Sequence, residues 1–534
     1  MKSLRVLFVL SILSIVLSGL VLVTTETDRN VYAYGDPEDY VYTTMFETNQ
    51  FLCGFLNDGR LDYNYGIQWP KSIEVYHHMV FQHGLWLFGY RNDSLISATS
   101  YFLPSYTPGP IINGRAGILE MPDDHLRFRS HLLTASSGPG DPDYDEWPSQ
   151  WGAPVNPDGT PKLFGDVMMW TVYNDAHPDI HSPDFEPVNQ INTFFEIRET
   201  VWGYNQAGAL GDALFFKWQI YNKSDATLDS VVICHWNDID IGSATCNHLA
   251  FDESNKFGYV YDNGTRYEGE VEIPPIAASY VLLQGPVIPK EGFTGYNFGH
   301  RLQNQQNLGT TAFWAIFDDG ANPESIGGCP RTVQQAYNFA RGRRHDDSPI
   351  INPVTNEQTH YTFTGNPNTG DGWIHTRYMG GMAGYMVSSG SITMAPGDSQ
   401  EVVLALVGAI ADTLPDAITG LRDKVIEIQK FYDTNLKSEI EQQAEIPAKF
   451  HLAQNYPNPF NASTVIRYEI PKRAFTTLRI YNLKGQLVET LVNRSLPAGS
   501  HQIYWNPGKL PSGMYFYRIE SDNVRLTRKC LILK

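Results

Sequence analysis

Extended apolar runs separated by turn formers dominate the first four hundred residues. "NTFFEIRETVW" (Asn192 to Trp202), "DALFFKWQIYN" (Asp212 to Asn222) and "SVVICHWND" (Ser230 to Asp238) follow one another across short polar links. Runs rich in β-branched and aromatic residues read as strands, and consecutive strands with short links are expected to pair as an antiparallel meander. Further on, Pro396 and Gly397 interrupt "SITMAPGDSQEVVLALVG", which predicts a hairpin. Helical period is almost absent until "TLPDAITGLRDKVIEIQKFYDTNL". There Ile418, Leu421, Val425, Ile428, Tyr432 and Leu436 recur at threes and fours, one face of a helix. Thr413 ahead of Asp416 fits a capping box, and Pro415 is tolerated in a first turn. This amphipathic helix is expected to lay its apolar face on a sheet.

The pattern changes near residue 449. Ile466, Tyr468 and Ile470 alternate with Val465, Arg467 and Glu469, and Leu478 and Ile480 repeat the alternation before a turn at Gly485. His501, Ile503 and Trp505 form a further strand, and "LPSG" ending at Gly513 suits a type I turn. Six or seven strands in the last 86 residues predict a small Ig-like sandwich. The fold class is therefore all-β: a large sandwich-like body over 34–411, built as one or two sandwiches, a helix and linker over 412–448, and the small sandwich over 449–534. The Pro/Asp-rich stretch 175–190 is the candidate boundary within the body.

Charge supports a division at the same place. Residues 449–534 carry 13 Lys and Arg against 4 Asp and Glu, a balance of +9, which leaves −28 on the rest of a chain whose net charge is −19. So acidic a body is repelled by nucleic acid and by anionic lipid, and nucleic acid is excluded as a partner. At the other end Lys2 and Arg5 precede an apolar run from Val6 to Val23, the pattern of an export signal, taken here as residues 1–33. No later segment is apolar enough to span a membrane as a helix, so none is expected once the signal is removed. Export permits disulfides, and of the five cysteines Cys234 and Cys246 flank an acidic turn and form the preferred pair.

"NYPNPFN", Asn455, Tyr456, Pro457, Asn458, Pro459, Phe460 and Asn461, is a rigid knot at the start of the small sandwich. Its prolines exclude helix, its asparagines can satisfy stray backbone groups, and its aromatics are free to plug a neighbouring core. Together with "IYNLKGQLVETL", "LPSGMYFYRI" and the terminal "KCLILK", it resembles the type A C-terminal sorting domain of the type IX (Por) secretion system. The resemblance implies Sec export, then passage across an outer membrane to the cell surface or medium. It implies the type IX translocon as partner, cleavage of the tail in some members, and attachment of some cargo to surface lipopolysaccharide. In the body, Ile67 to Gly89 and Phe216 to Gly242 resemble segments of uncharacterised secreted proteins with the same kind of tail, a resemblance that carries no activity.

The richest candidate chemistry in the body is "HWNDIDIGSATCNHLAFDESN". Asp238 and Asp240, two apart, share one side of an extended strand, and Asn237, Asn247 and Asp252 offer further oxygens from the same stretch. Hard oxygen ligands in an acidic loop suit a structural calcium ion, and a solvated acidic turn accounts for the same residues. No other cofactor is indicated. GxSxG, Walker and HExxH motifs are absent. Body tryptophans, Trp147, Trp151, Trp170, Trp202, Trp218, Trp236, Trp314 and Trp373, can build a core or floor a cleft for extracellular glycan. These features favour a non-enzymatic surface binding or structural protein, with a secreted polysaccharide or peptide hydrolase as the alternative.

Overall fold

The computed structural model describes residues 41–72, 79–100, 105–121, 126–156, 158–180, 192–241, 247–262, 274–317, 324–376, 383–436, 450–455, 457–461, 464–471, 474–496, 499–508, 510–521 and 524–533. The expected export signal lies outside the described residues. The body strands that matter below are, in chain order, β1 (Gln82–Arg91), β2 (Ser94–Ala98), β3 (His131–Thr134), β4 (Val167–Asn174), β5 (Phe195–Gly203), β6 (Ala213–Asn222), β7 (Leu228–Asp238), β8 (Asn247–Asp252), β9 (Phe257–Asp262), β10 (Ile276–Gln284), β11 (Ala312–Phe317), β12 (Ala383–Met394) and β13 (Ser399–Ile410). Of the helices, three matter below: α1 (Pro142–Asp145), α2 (Val333–Ala340) and α3 (Leu414–Phe431).

The strands form two antiparallel sheets. The larger runs β8-β9-β10-β13-β6-β5-β4, with β3 also on β4, and the smaller runs β11-β12-β7-β1-β2. Leu85, Leu87, Ile233, Tyr385 and Val387 from the smaller sheet meet Ile197, Val201, Phe216, Trp218 and Leu404 from the larger in one buried core. Each outer face is covered in turn. Helix α3 packs Ile418, Leu421, Val425 and Ile428 on the larger sheet beside Phe215, Val403 and Ala405. Helix α2 packs Ala336, Phe339 and Ala340 on the smaller sheet against Trp86, Trp236 and Trp314, with the Trp314 and Phe339 rings stacked at 4.0 Å. Burial on both faces is why these strands read as continuous apolar runs.

The expected docking helix is present, and Thr413 caps it by accepting from the Asp416 N–H. Helix α2 was not anticipated; at eight residues it offers barely two turns of period, and Thr332 capping Gln335 is its one local signal. Two pairing expectations are corrected. Strands β5 and β6 do pair, but β7 leaves the meander and joins the smaller sheet between β12 and β1. Likewise β12 and β13 do not pair with each other across Pro396 and Gly397. The chain crosses there from the smaller sheet to the larger, where β13 sits between β10 and β6.

Buried Asn222 fastens the two crossings together. Its side-chain amide donates to the carbonyls of Ala226 and Met394, and its backbone exchanges hydrogen bonds with Gly397 and Asp398. The stretch 175–190 falls between β4 and β5, which pair along their lengths in one sheet.

The tail has its own strands: β14 (His451–Leu452), β15 (Thr464–Ile470), β16 (Ala474–Tyr481), β17 (Leu487–Leu496), β18 (Gly499–Trp505), β19 (Gly513–Ser521) and β20 (Val524–Ile532). They form sheets β14-β15-β18 and β17-β16-β19-β20 around a separate core that includes Ile466, Leu478, Trp505 and Tyr517.

Candidate functional site

A cleft of about 680 Å³ opens between β3, the residues just before it and the segment around α1. Asp141 accepts from Asp143 N–H and Pro142 follows it, so this single turn is capped by its own sequence. Asp143 then ties the turn to the strand, accepting from Leu132 N–H at 3.0 Å and from Arg129 at 2.9 Å. Arg129 reaches Glu146 as well, at 3.0 Å. Gly152 ends the next turn at a φ of 98°, and a β-carbon there would lie 2.1 Å from the Arg198 guanidinium, so only glycine fits.

The lining is charge-balanced. Arg127 and Arg129 stand against Asp145 and Glu146, and His131 contributes no charge, because burial and then the neighbouring Arg129 hold its pKa down to about 3. Trp147 and Trp151 supply the aromatic wall. Trp147 is nearly buried, with Nε1 donating to the Pro154 carbonyl at 2.8 Å, while half-buried Trp151 leans on Phe128 at a ring separation of 5.1 Å. Exposed Leu126 stands at the rim. An aromatic face beside paired donors and acceptors of no net charge matches a polar, uncharged ligand with an apolar side. The other tryptophans divide differently: Trp170, Trp202, Trp218, Trp236 and Trp314 are core, at most 3% exposed, and Trp373 packs half-buried against the core.

The acidic stretch runs from the end of β7, past Asp240, to the two ends of β8. Asp252 ends β8, where it binds Arg422 at 2.9 Å and accepts from the turn N–H groups of Ser254 and Asn255. Asn247 starts the same strand, five residues away. Asn237 and Asp238 are neighbours in β7, so the pleat sends them to opposite faces. Asp240 follows beyond the strand end, where burial raises its carboxyl to about 6. Among the described residues no group of three or more His, Cys, Asp or Glu is placed to hold a metal ion. Cys234 is a buried free thiol facing the α2 side, pushed up to about 12 by burial, and Cys246 lies outside the described residues.

Sequence reading also missed a set of titratable groups inside the sandwich. His83 Nδ1 meets the Tyr280 hydroxyl at 2.9 Å, the Tyr280 N–H donates to the Tyr385 hydroxyl at 2.8 Å, and the His235 ring lies 4.2 Å from that of Tyr280. Burial lowers both histidines, His83 to about 3, so both are neutral. Glu199 stands between Ile197 and Val201 on the inward side of β5, with Tyr173 and Trp218 as hydrogen-bond partners, and burial raises it to about 8. A charged letter inside an apolar run is the one signal that could have marked it.

In the tail, the knot proves to be a clasp. Asn455 donates its N–H to the Tyr517 hydroxyl at 2.8 Å and its amide to Thr464 and the Pro457 carbonyl. Asn458 accepts from Leu531 N–H at 2.8 Å. Phe460 exchanges backbone hydrogen bonds with Leu531 and Leu533 and plugs the core against Trp505. The start of the module is thereby fastened to its last strand. Tyr456 lies outside the described residues; Asn461 is exposed; Gly485 turns the chain at a φ of 74°; Gly513 opens β19.

No curated protein matches the chain. Among solved structures it is similar to a polysaccharide lyase at 8% identity and a TM-score of 0.25, covering 92% of this chain and 46% of that one. The chain thus spans about half the length of that lyase. It is similar to the adhesin domain of Epf from Streptococcus pyogenes at 9% identity and a TM-score of 0.12, over 56% of this chain and 83% of that one. PorZ, a surface component of the type-IX secretion system of Porphyromonas gingivalis, gives 9% identity and a TM-score of 0.14, over 93% and 76%. Likenesses this distant carry no function to the body. The tail is different: residues 454–533 match the model of the secretion system C-terminal sorting domain, and this segment of the chain is a type IX sorting domain.

Proposed function

We propose that the chain is an exported, non-enzymatic binding protein of the cell surface or medium, and that its body takes carbohydrate in the tryptophan-walled cleft. The sorting domain implies export and an encounter with the type IX machinery. The observation that carries the binding role is the cleft itself, about 680 Å³, charge-balanced and walled by Trp147 and Trp151. A sugar presents hydroxyls to such donors and acceptors and a C–H face to indole.

Among the described residues, where the raised carboxyls lie favours binding over hydrolysis. A general acid for glycoside cleavage needs an elevated pKa beside the scissile bond. Asp175 and Asp240, raised to about 6, and Glu199, raised to about 8, all stand outside the cleft lining.

The test is titration of the purified full chain with a panel of neutral oligosaccharides, read by tryptophan fluorescence and calorimetry. At least one oligosaccharide is expected to bind, and Trp151→Ala to weaken it tenfold or more, with no reducing ends released on long incubation. Unchanged affinity in Trp151→Ala rules out the cleft, and steady release of reducing ends replaces binding with hydrolysis.

A further inference from the structure

A second recess, of about 540 Å³, lies at the C-terminal end of α2 on the outer side of the smaller sheet. Its electrostatics differ from those of the tryptophan cleft. Arg341 and Arg343 both turn onto one carboxylate, Asp347, at 2.6 and 3.4 Å. Arg343 spends further N–H groups on the Asp347 carbonyl, and Arg341 lies over the Tyr337 ring at 4.5 Å. Asp347 is half exposed, so it neutralises one guanidinium and leaves the other charge facing the recess. Tyr361 lines the opposite part, with Lys256 4.6 Å from its ring centre and Glu253 as the neighbouring acid. Exposed Ser391 and His360 also line it, with Thr310 and Thr311.

A concentration of guanidinium groups is conspicuous in a chain that carries −28 outside its tail. Paired guanidiniums fixed by a carboxylate and a stacked ring are suited to planar or tetrahedral oxyanions, which they bind through parallel N–H donors. We infer that this recess is an oxyanion-binding site, taking the carboxylate or sulfate substituent of an acidic saccharide. It is separate from the cleft assigned to neutral sugar, and the two readings can fail independently.

The experiment uses the full chain at fixed ionic strength. Calorimetric titrations compare a uronic-acid oligosaccharide, a sulfated oligosaccharide, a neutral oligosaccharide of equal length and sodium sulfate alone. An acidic oligosaccharide is expected to bind at least tenfold more tightly than both the neutral one and free sulfate, with affinity falling as salt is raised. Arg343→Gln is expected to lose most of that preference, Lys256→Gln to lose a smaller share, and Trp151→Ala to keep it. Melting temperatures near wild type would show that the variants fold, and Lys256→Gln, at an exposed position, serves if Arg343→Gln does not. Equal affinity for neutral and acidic oligosaccharides, or a preference unchanged in both charge variants, overturns the site. Sulfate binding as tightly as the saccharides overturns the assignment to a saccharide ligand.

Discussion

Strand β6 of the body buries Phe216 in the inner core and Phe215 beside α3, whereas strand β15 of the tail keeps Ile466, Tyr468 and Ile470 inside and turns Val465, Arg467 and Glu469 outward. Both regions are two-sheet sandwiches, but helices cover the outer faces of the body, and none among the described residues covers the tail. The body therefore hides what alternation would reveal, and it also carries neutral histidines and carboxyls raised by burial in its interior. In the tail, the buried polar groups among the described residues are asparagine, threonine and serine.

The sharpest break between the two regions is functional. Deleting residues 449–534 is expected to leave the body inside the cell envelope, with the exported fraction falling tenfold or more by fractionation and immunoblot. Undiminished export of the truncated chain would mean that the tail does not direct it. A core truncation should then separate the two stabilities. Trp218→Ala removes one of the largest inner side chains of the body and is expected to cost about 3–5 kcal/mol in denaturant melts of the body. The transition of the tail, followed by Trp505 emission, should stay where it is.

Acid and alkali should also distinguish them. His83 and His131 are held near 3, and His235 is lowered as well. Below an unfolded value of about 6.5 the unfolded chain binds protons that the folded body refuses, so each histidine withdraws stability as pH falls, up to about 1.4 kcal/mol per pH unit. Glu199, raised to about 8, acts in the opposite sense. Above an unfolded value of about 4.3 the folded state holds a proton that the unfolded chain has released, so stability is lost as pH rises toward 8. Asp175 and Asp240 add the same sense up to about 6. The body should be most stable at about pH 6.5, where the histidine and carboxyl effects meet, and weaken on both sides, and Glu199→Gln should flatten the alkaline limb. A body melting temperature that is level from pH 6.5 to 8 would remove Glu199 from this account.

The smallest effect concerns the clasp. Asn458→Ala leaves the Leu531 N–H without its acceptor and is expected to cost the tail about 1 kcal/mol, with the body unmoved. An equal loss in both regions would mean that the clasp serves more than the tail.

Legibility in the sequence followed the same division. The tail could be read strand by strand because one face of each strand meets water, and Asn455 and Phe460 signalled their roles by residue type. The helix at Leu414–Phe431 was legible through its period and its Thr413 cap. In the body the strands were legible and their partners were not. β7 and β12 are apolar on both faces, so no alternation told which sheet they join, and Asn222, which fastens the crossings, reads as an ordinary turn residue. The cleft was half visible: Trp147 and Trp151 were named among eight tryptophans, but their separation from the core set is a matter of packing. The five oxygen donors from Asn237 to Asp252 looked contiguous because strand length is invisible in a list of letters. Of the five, Asn247 and Asp252 stand at opposite ends of β8.

Strands β12 and β13 are the last of the body to be synthesised, and each occupies an interior position: β12 between β11 and β7, β13 between β10 and β6. Until residue 410 has been made, the smaller sheet lacks the link to β11 and the larger remains two unconnected halves. A nascent body therefore has no route to a finished sandwich by growing from its beginning; it closes around a late keystone. The sorting module comes next in the chain, so the address is completed only on molecules whose keystone has already been supplied.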